Sequence, residues 1–199
     1  MAELGRRLVH ASGVIAPLSY LAGILTYGQL QGLLVLVLGV VLVLETLRLR
    51  VGLDWWIYEH LTREYEADAV AGYAHYMLSI TGVALLFEPR VAVPAMLMLM
   101  VGDPISGALG DGTLRRFKRP RAVVAMFLVS LAIATPFALV SLDEVGLALV
   151  AAGSAATLAT VADGVKPRVG SFVVDDNLTI PVAGAIGLWL AYLVLPALG

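Results

Sequence analysis

The chain has 199 residues, of which 60% are hydrophobic and only 14% charged. A soluble domain carries roughly a quarter charged residues, so composition argues against one, and the absence of cysteine excludes a disulfide framework and any cysteine-ligated metal. The net charge of −2 points to no partner by itself; the placement of the charges along the chain is more informative.

Seven stretches approach the length of a bilayer crossing, at roughly 8–26, 29–47, 69–87, 91–110, 122–140, 145–162 and 178–198. They are too long for strands and lack the period-two alternation that a membrane β-barrel requires. The first is interrupted by Pro17 and Ser19 and crowded at its start by Arg6, Arg7 and His10. The first hydrophobic stretch leads directly into further ones, so no cleavable signal peptide is expected. Residues 48–68 mix Trp55, Trp56, Tyr58 and Tyr65 with charges, which suits a segment lying at the membrane interface. The expected architecture is therefore all-α and polytopic, one membrane-embedded domain over 1–199.

Basic residues give the orientation. With seven crossings, Arg6, Arg7, Arg48, Arg50, Arg63, Arg115, Arg116, Lys118, Arg119, Arg121, Lys166 and Arg168 fall on one side, and Arg90 falls opposite. The positive side is the cytoplasm, which predicts a cytoplasmic N-terminus and an external C-terminus. Twelve of the fifteen acids lie on that same side, although acids contribute little to insertion. A face rich in both signs suits chemistry on a polyanion bridged by a divalent cation. No nucleic-acid partner is expected.

Four groups of residues carry the candidate chemistry. Asp103 stands in Gly102-Asp103-Pro104-Ile105-Ser106-Gly107-Ala108-Leu109-Gly110-Asp111-Gly112. A carboxylate this close to a membrane interior is costly and is a functional candidate. Pro104 is expected to break the helix there, and Gly102, Gly107, Gly110 and Gly112 would let the backbone approach a phosphate; the plainer reading is a tight turn. Next, Arg115, Arg116, Lys118, Arg119 and Arg121 could bind phosphates, or serve only as a topology signal. Asp163 ends the sixth stretch, and Asp175-Asp176-Asn177 opens the seventh. Asp176 or Asn177 fits a helix N-cap, and the remaining hard-oxygen groups could hold Mg²⁺. Lastly, Glu45, Arg63, Glu64, Glu66 and Asp68 flank the second loop, where acids also complement a helix dipole. His10 is either a general base or, more simply, a structural hydrogen-bonding group.

Taken in order, these motifs resemble the dolichol kinase and phytol kinase family, CTP-dependent kinases of long isoprenoid alcohols that are related more distantly to phosphatidate cytidylyltransferases. Asp176-Asn177-Leu178-Thr179-Ile180-Pro181 is the most specific piece. Arg6-Arg7-Leu8-Val9-His10, Glu45-Thr46-Leu47-Arg48 and Arg63-Glu64-Tyr65-Glu66 extend the likeness over nearly the whole chain. The resemblance implies a kinase of a polyprenol, phytol or geranylgeraniol type of alcohol. Asp103, Asp163, Asp175 and Asp176 would hold Mg²⁺, with catalytic work by Asp103, Asp163 and Asp176. The triphosphate would be bound by Gly102, Gly107, Gly110, Gly112, Arg115, Lys118, Arg119, Lys166 and Asn177, with Arg7, His10, Glu45, Arg63 and Glu66 as secondary candidates. One departure is plain. The family commonly follows its basic loop with Lys-Ser or Lys-Thr and then Glu-Gly, whereas here Lys118-Arg119 runs into Pro120-Arg121-Ala122-Val123-Val124. Other classes consistent with the residues are a CTP-dependent lipid-phosphate cytidylyltransferase and an ion or solute transporter.

Overall fold

A computed structural model describes residues 10–53, 55, 58, 62, 66–67, 69–110, 117–165, 168–169 and 172–197. The expectations placed on Arg6, Arg7, Trp56, Arg63, Glu64, Tyr65, Asp68, Asp111, Gly112, Arg115, Arg116 and Lys166 lie outside the described residues. Within them the chain is helical: α1 (Ile15–Leu21), α2 (Tyr27–Val51), α3 (Gly72–Leu86), α4 (Pro89–Leu97), α5 (Asp103–Leu109), α6 (Pro120–Ser141), α7 (Val145–Gly164) and α8 (Asp176–Val194). A hairpin of two-residue strands, β1 (Arg168–Val169) and β2 (Phe172–Val173), connects α7 to α8.

Among the described residues, five helical segments are long and apolar enough to cross a bilayer: Tyr27–Val51, Pro89–Leu109, Pro120–Ser141, Val145–Gly164 and Asp176–Ala197. The chain is accordingly read as an integral membrane protein. Two of the seven expected stretches fall short of that length, since α1 has 7 residues and α3 has 15. In α1 the cause is local: the chain turns at Gly13 and Val14 and again after Leu21.

The central segment is not broken at Pro104 as its sequence suggests. The helix continues from α4 through a π-helical turn, Met98–Gly102, directly into α5, with Pro104 at its start. Proline lacks an N–H and crowds the preceding turn; widening that turn carries the helix past it. Residues Val91–Met100 are almost all buried, so α4 forms the centre of the bundle. By contrast, α2 is peripheral and exposes Leu33, Leu36, Val40 and Val43, surface that only lipid would solvate.

Small residues set the closest helix contact. In α7, Ala148, Ala151, Ala152, Ala155, Ala156 and Ala159 bury one face. Gly187 of α8 sits so near it that an added Cβ would lie 2.7 Å from the Ala155 Cα. This is the close backbone approach that small residues permit in membranes. Gly187→Val is expected to destabilise the chain by about 1–3 kcal/mol through overpacking. Gly32→Ala, within α2 at a position with open space, is expected to leave stability unchanged or raise it by up to about 1 kcal/mol; thermal unfolding in detergent compares the two.

Candidate functional site

The site is assembled at one end of the bundle from three separate stretches of sequence. Asp103 opens α5, Asp163 is the penultimate residue of α7, and Asp176 is the first residue of α8. Each offers a carboxylate oxygen within 4.8 Å of the others. Asp163 and Asp176 are buried, whereas the Asp103 side chain retains 23% exposure. Because α5 continues for six residues past Asp103, the cluster lies about 9 Å below the end of that helix at 1.5 Å rise per residue.

Lys118 reaches the same point. Its Nζ stands 2.5 Å from Asp163 Oδ1, 3.4 Å from Asp103 Oδ1 and 3.7 Å from Asp176 Oδ2. Backbone bonds hold it there. Phe117 forms an antiparallel bridge with Val165, and the Lys118 N–H donates to the Gly164 carbonyl at 3.1 Å. Burial opposes the charged ammonium, but the charges of Asp103, Asp163 and Asp176 outweigh it and hold Lys118 above the ordinary lysine range. Ser106, absent from the sequence candidates, completes the group. Fully buried, it donates to Asp163 Oδ2 at 2.7 Å and accepts from Lys118 Nζ at 3.3 Å. It lies three residues after Asp103 and so shares its helix face, a spacing from which it could have been found.

Other candidates occupy different positions. The N-cap of α8 is Asp175, not Asp176 or Asn177: its Oδ1 accepts from the Asn177 N–H at 2.8 Å. Its Oδ2 lies on a second group around Gly72, where an added Cβ would meet Asn177 Nδ2 at 3.0 Å and Asp175 Oδ2 and Glu66 Oε1 at 3.4 Å. Asp175, Asn177 and Glu66 thus meet around Gly72, at the start of α3. Asn177 is further fixed because Pro181, four residues on, has no N–H for its carbonyl; Ser79 Oγ donates to that carbonyl instead, at 2.6 Å.

Among the described glycines, Gly102 faces protein rather than an open anion cradle. A Cβ there would be 2.6 Å from Met126 Sδ of α6, so its bare Cα serves helix packing. Gly110 closes α5, its N–H donating to the carbonyls of Ser106 and Gly107. Arg119 is the exposed N-cap residue of α6, and Arg121 Nε donates to the Leu109 carbonyl at 2.6 Å, capping α5.

Glu45 and Arg48 form a buried ion pair at 2.7 Å that ties α2 to the start of α3. Arg48 donates to the carbonyls of Glu66, Ala67 and Ala69, while Glu45 accepts from the Ala71 N–H and Tyr73 Oη. That satisfies backbone groups at a helix start and accounts for both residues structurally. His10 Nε2 lies 3.2 Å from the Leu99 carbonyl, and its ring packs edge-on against Tyr76. Its place is the π turn, one turn of helix before Asp103.

The donor set suits a hard divalent cation. Its groups are all carboxylates, and the oxygens of an octahedral Mg²⁺ at 2.0–2.1 Å lie at most about 4.2 Å apart, so the observed spread needs only a small contraction. Asp103, Asp163 and Asp176 are the residues that would hold it. No family model matches the chain, and neither a curated protein nor a solved structure of significant similarity was found.

Because its folded-state pKa is raised, Lys118 contributes stability fully below the ordinary lysine range and loses it as pH climbs above that range. Lys118→Met, which leaves three acids without their ammonium, is expected to cost on the order of 3 kcal/mol at neutral pH. The gap to wild type in thermal unfolding should narrow as pH climbs above about 10.

Proposed function

We propose that the chain is a membrane-embedded kinase that phosphorylates a long-chain isoprenoid alcohol with CTP, on the cytoplasmic face. The observation that carries this reading is the convergence of Asp103, Asp163 and Asp176 on Lys118, at the bundle end where the basic residues pool. Phosphoryl transfer chiefly requires positioning and charge neutralisation, and this cluster offers oxygen ligands and a cation together. The likeness of Gly102-Asp103 and Asp176–Pro181 to the dolichol and phytol kinases supplies the alcohol and the nucleotide.

In this reaction the alcohol oxygen attacks the γ-phosphorus, the bond from that phosphorus to the β-phosphate oxygen breaks, and the products are a lipid monophosphate and CDP. Bound Mg²⁺ would neutralise phosphate charge. Lys118 binds phosphate oxygens, Ser106 orients the Asp163 carboxylate, and Asp103, the most exposed of the three acids, accepts the alcohol proton. The lipid arrives sideways from the bilayer, so only its hydroxyl needs to reach the recess.

Sidedness, which rests on the basic residues, and seven crossings belong to the same proposal, and the packing bears on the crossings. Tyr27 Oη donates to the carbonyls of Ala84 and Phe87 at one end of α3, while Glu45 accepts from the Ala71 N–H at the other. α3 therefore runs alongside the stretch from Tyr27 to Glu45, about 27 Å at 1.5 Å per residue, close to the ~30 Å hydrocarbon core. His10 stands beside Leu99, midway along Pro89–Leu109, and Tyr27 lies at the end away from the site, so residues 10–27 run from mid-bundle to that end, the direction a first crossing from the site side would take.

The lipid-phosphate cytidylyltransferase reading uses the same carboxylates but releases pyrophosphate instead of CDP. Purified protein with CTP, Mg²⁺ and polyprenol or geranylgeraniol is expected to yield the lipid monophosphate and CDP, detected by mass spectrometry. Asp103→Asn and Asp176→Asn are expected to lower turnover by at least about a hundredfold, the scale of losing an electrostatic stabiliser. No phosphorylated lipid with CTP, ATP or GTP would sink the kinase reading, and full activity in both variants would sink the site.

A further inference from the structure

We propose that Lys118 and the divalent cation compete for the same three carboxylates, so that the site admits the cation together with a triphosphate and resists the free ion. This rests on the metal-and-triphosphate reading above. The carboxylates that would ligate the cation are those already around the ammonium, at 2.5, 3.4 and 3.7 Å from its Nζ. A cation bonded to their oxygens at 2.0–2.1 Å would stand in contact with Nζ. Three carboxylates and one ammonium carry two net negative charges, so a divalent ion suits the cluster by charge; the position it would take is the one the ammonium holds.

The ammonium must therefore move, and its surroundings restrict where it goes. The Lys118 backbone is fixed by its N–H bond to Gly164 and by the adjacent Phe117–Val165 bridge. Inward stand Asp163 and Ser106, both fully buried. Outward, the Lys118 side chain keeps 17% exposure, and its four-carbon stem can swing about a fixed backbone. A free metal ion offers the displaced ammonium no anion in exchange for three carboxylates. A triphosphate arriving with the metal does, since its oxygens accept from lysine as strongly as carboxylates do. Lys118 then holds the acids neutralised while the site waits and moves to the phosphates when the complex enters. It acts as a specificity-determining residue for the form in which the metal is taken up.

The proposal predicts a gain where simple damage to the site predicts a loss. The full chain in lipid nanodiscs is titrated with Mn²⁺ alone, bound ion being read by electron paramagnetic resonance and by the rise in unfolding temperature. Wild type and Lys118→Arg are expected to bind weakly. Lys118→Met and the second neutral variant Lys118→Gln are expected to bind about tenfold more tightly or better, and to recover through Mn²⁺ the thermal stability they lose without it. Arg90→Gln, which removes an exposed charge paired with Glu88 at the far end of the bundle, should match wild type. Neutral Lys118 variants that bind no more tightly than wild type, or an equal gain in Arg90→Gln, would overturn the competition. Asp163→Asn separates the two readings. If it abolishes Mn²⁺ binding while the lysine variants show no gain, only the competition fails. If it leaves Mn²⁺ binding unchanged, the carboxylate site fails with it.

Discussion

An ammonium buried among three carboxylates near the end of a membrane bundle constrains everything around it. Each of these charges loses hydration on burial, and the mutual attraction repays that cost only when the geometry is held closely. Much of the local structure supplies that hold. The Phe117–Val165 bridge and the Lys118 N–H bond to Gly164 fix the lysine to the end of α7. Ser106 fixes one oxygen of Asp163 and touches the ammonium as well. Asp175 caps α8 and so sets where Asp176 begins.

The separation between Asp163 and Asp176 depends on packing much deeper in the bundle. They stand at adjoining ends of α7 and α8, and those helices are drawn together by the alanine face of α7 against Gly187 and by Gly184 near Ala159 and Met98. A bulkier residue at Gly187 would push the ends apart as well as strain the core, which links helix packing to the chemistry of the site. Prolines impose a similar link. Pro104 is accommodated by a π turn immediately before Asp103, and Pro181 leaves a carbonyl that Ser79 of α3 satisfies. The second repair also fastens the site-bearing α8 to α3.

Much of the site was legible in the sequence because buried charge in a membrane is expensive enough to stand out from an apolar background. Asp103 could be picked out on that ground, Asp163 and Asp176 as hard-oxygen groups at helix ends, and Lys118 as one of a run of basic residues. Glu45 and His10 could be picked out too, yet they serve the scaffold: one anchors the start of α3 through Arg48, the other meets a carbonyl of the π turn. A charge on a helix looks the same in sequence whether its partner is a ligand or another part of the chain. Ser106 and Gly72 were missed for the opposite reason. A serine and a glycine cost little in a membrane helix, so neither stands out until the groups they touch are known.

Composition and hydropathy alone determined a predominantly helical membrane chain, because apolar length acts locally and needs no tertiary partner. Three matters waited on the tertiary structure: which stretches are full-length crossing helices, how the helix passes Pro104, and which acids share one lysine. Each depends on distances between residues dozens of positions apart, such as Ser106 and Asp163 or Lys118 and Asp163. Those distances are set by small-residue packing and backbone repair, and hydropathy carries no record of either.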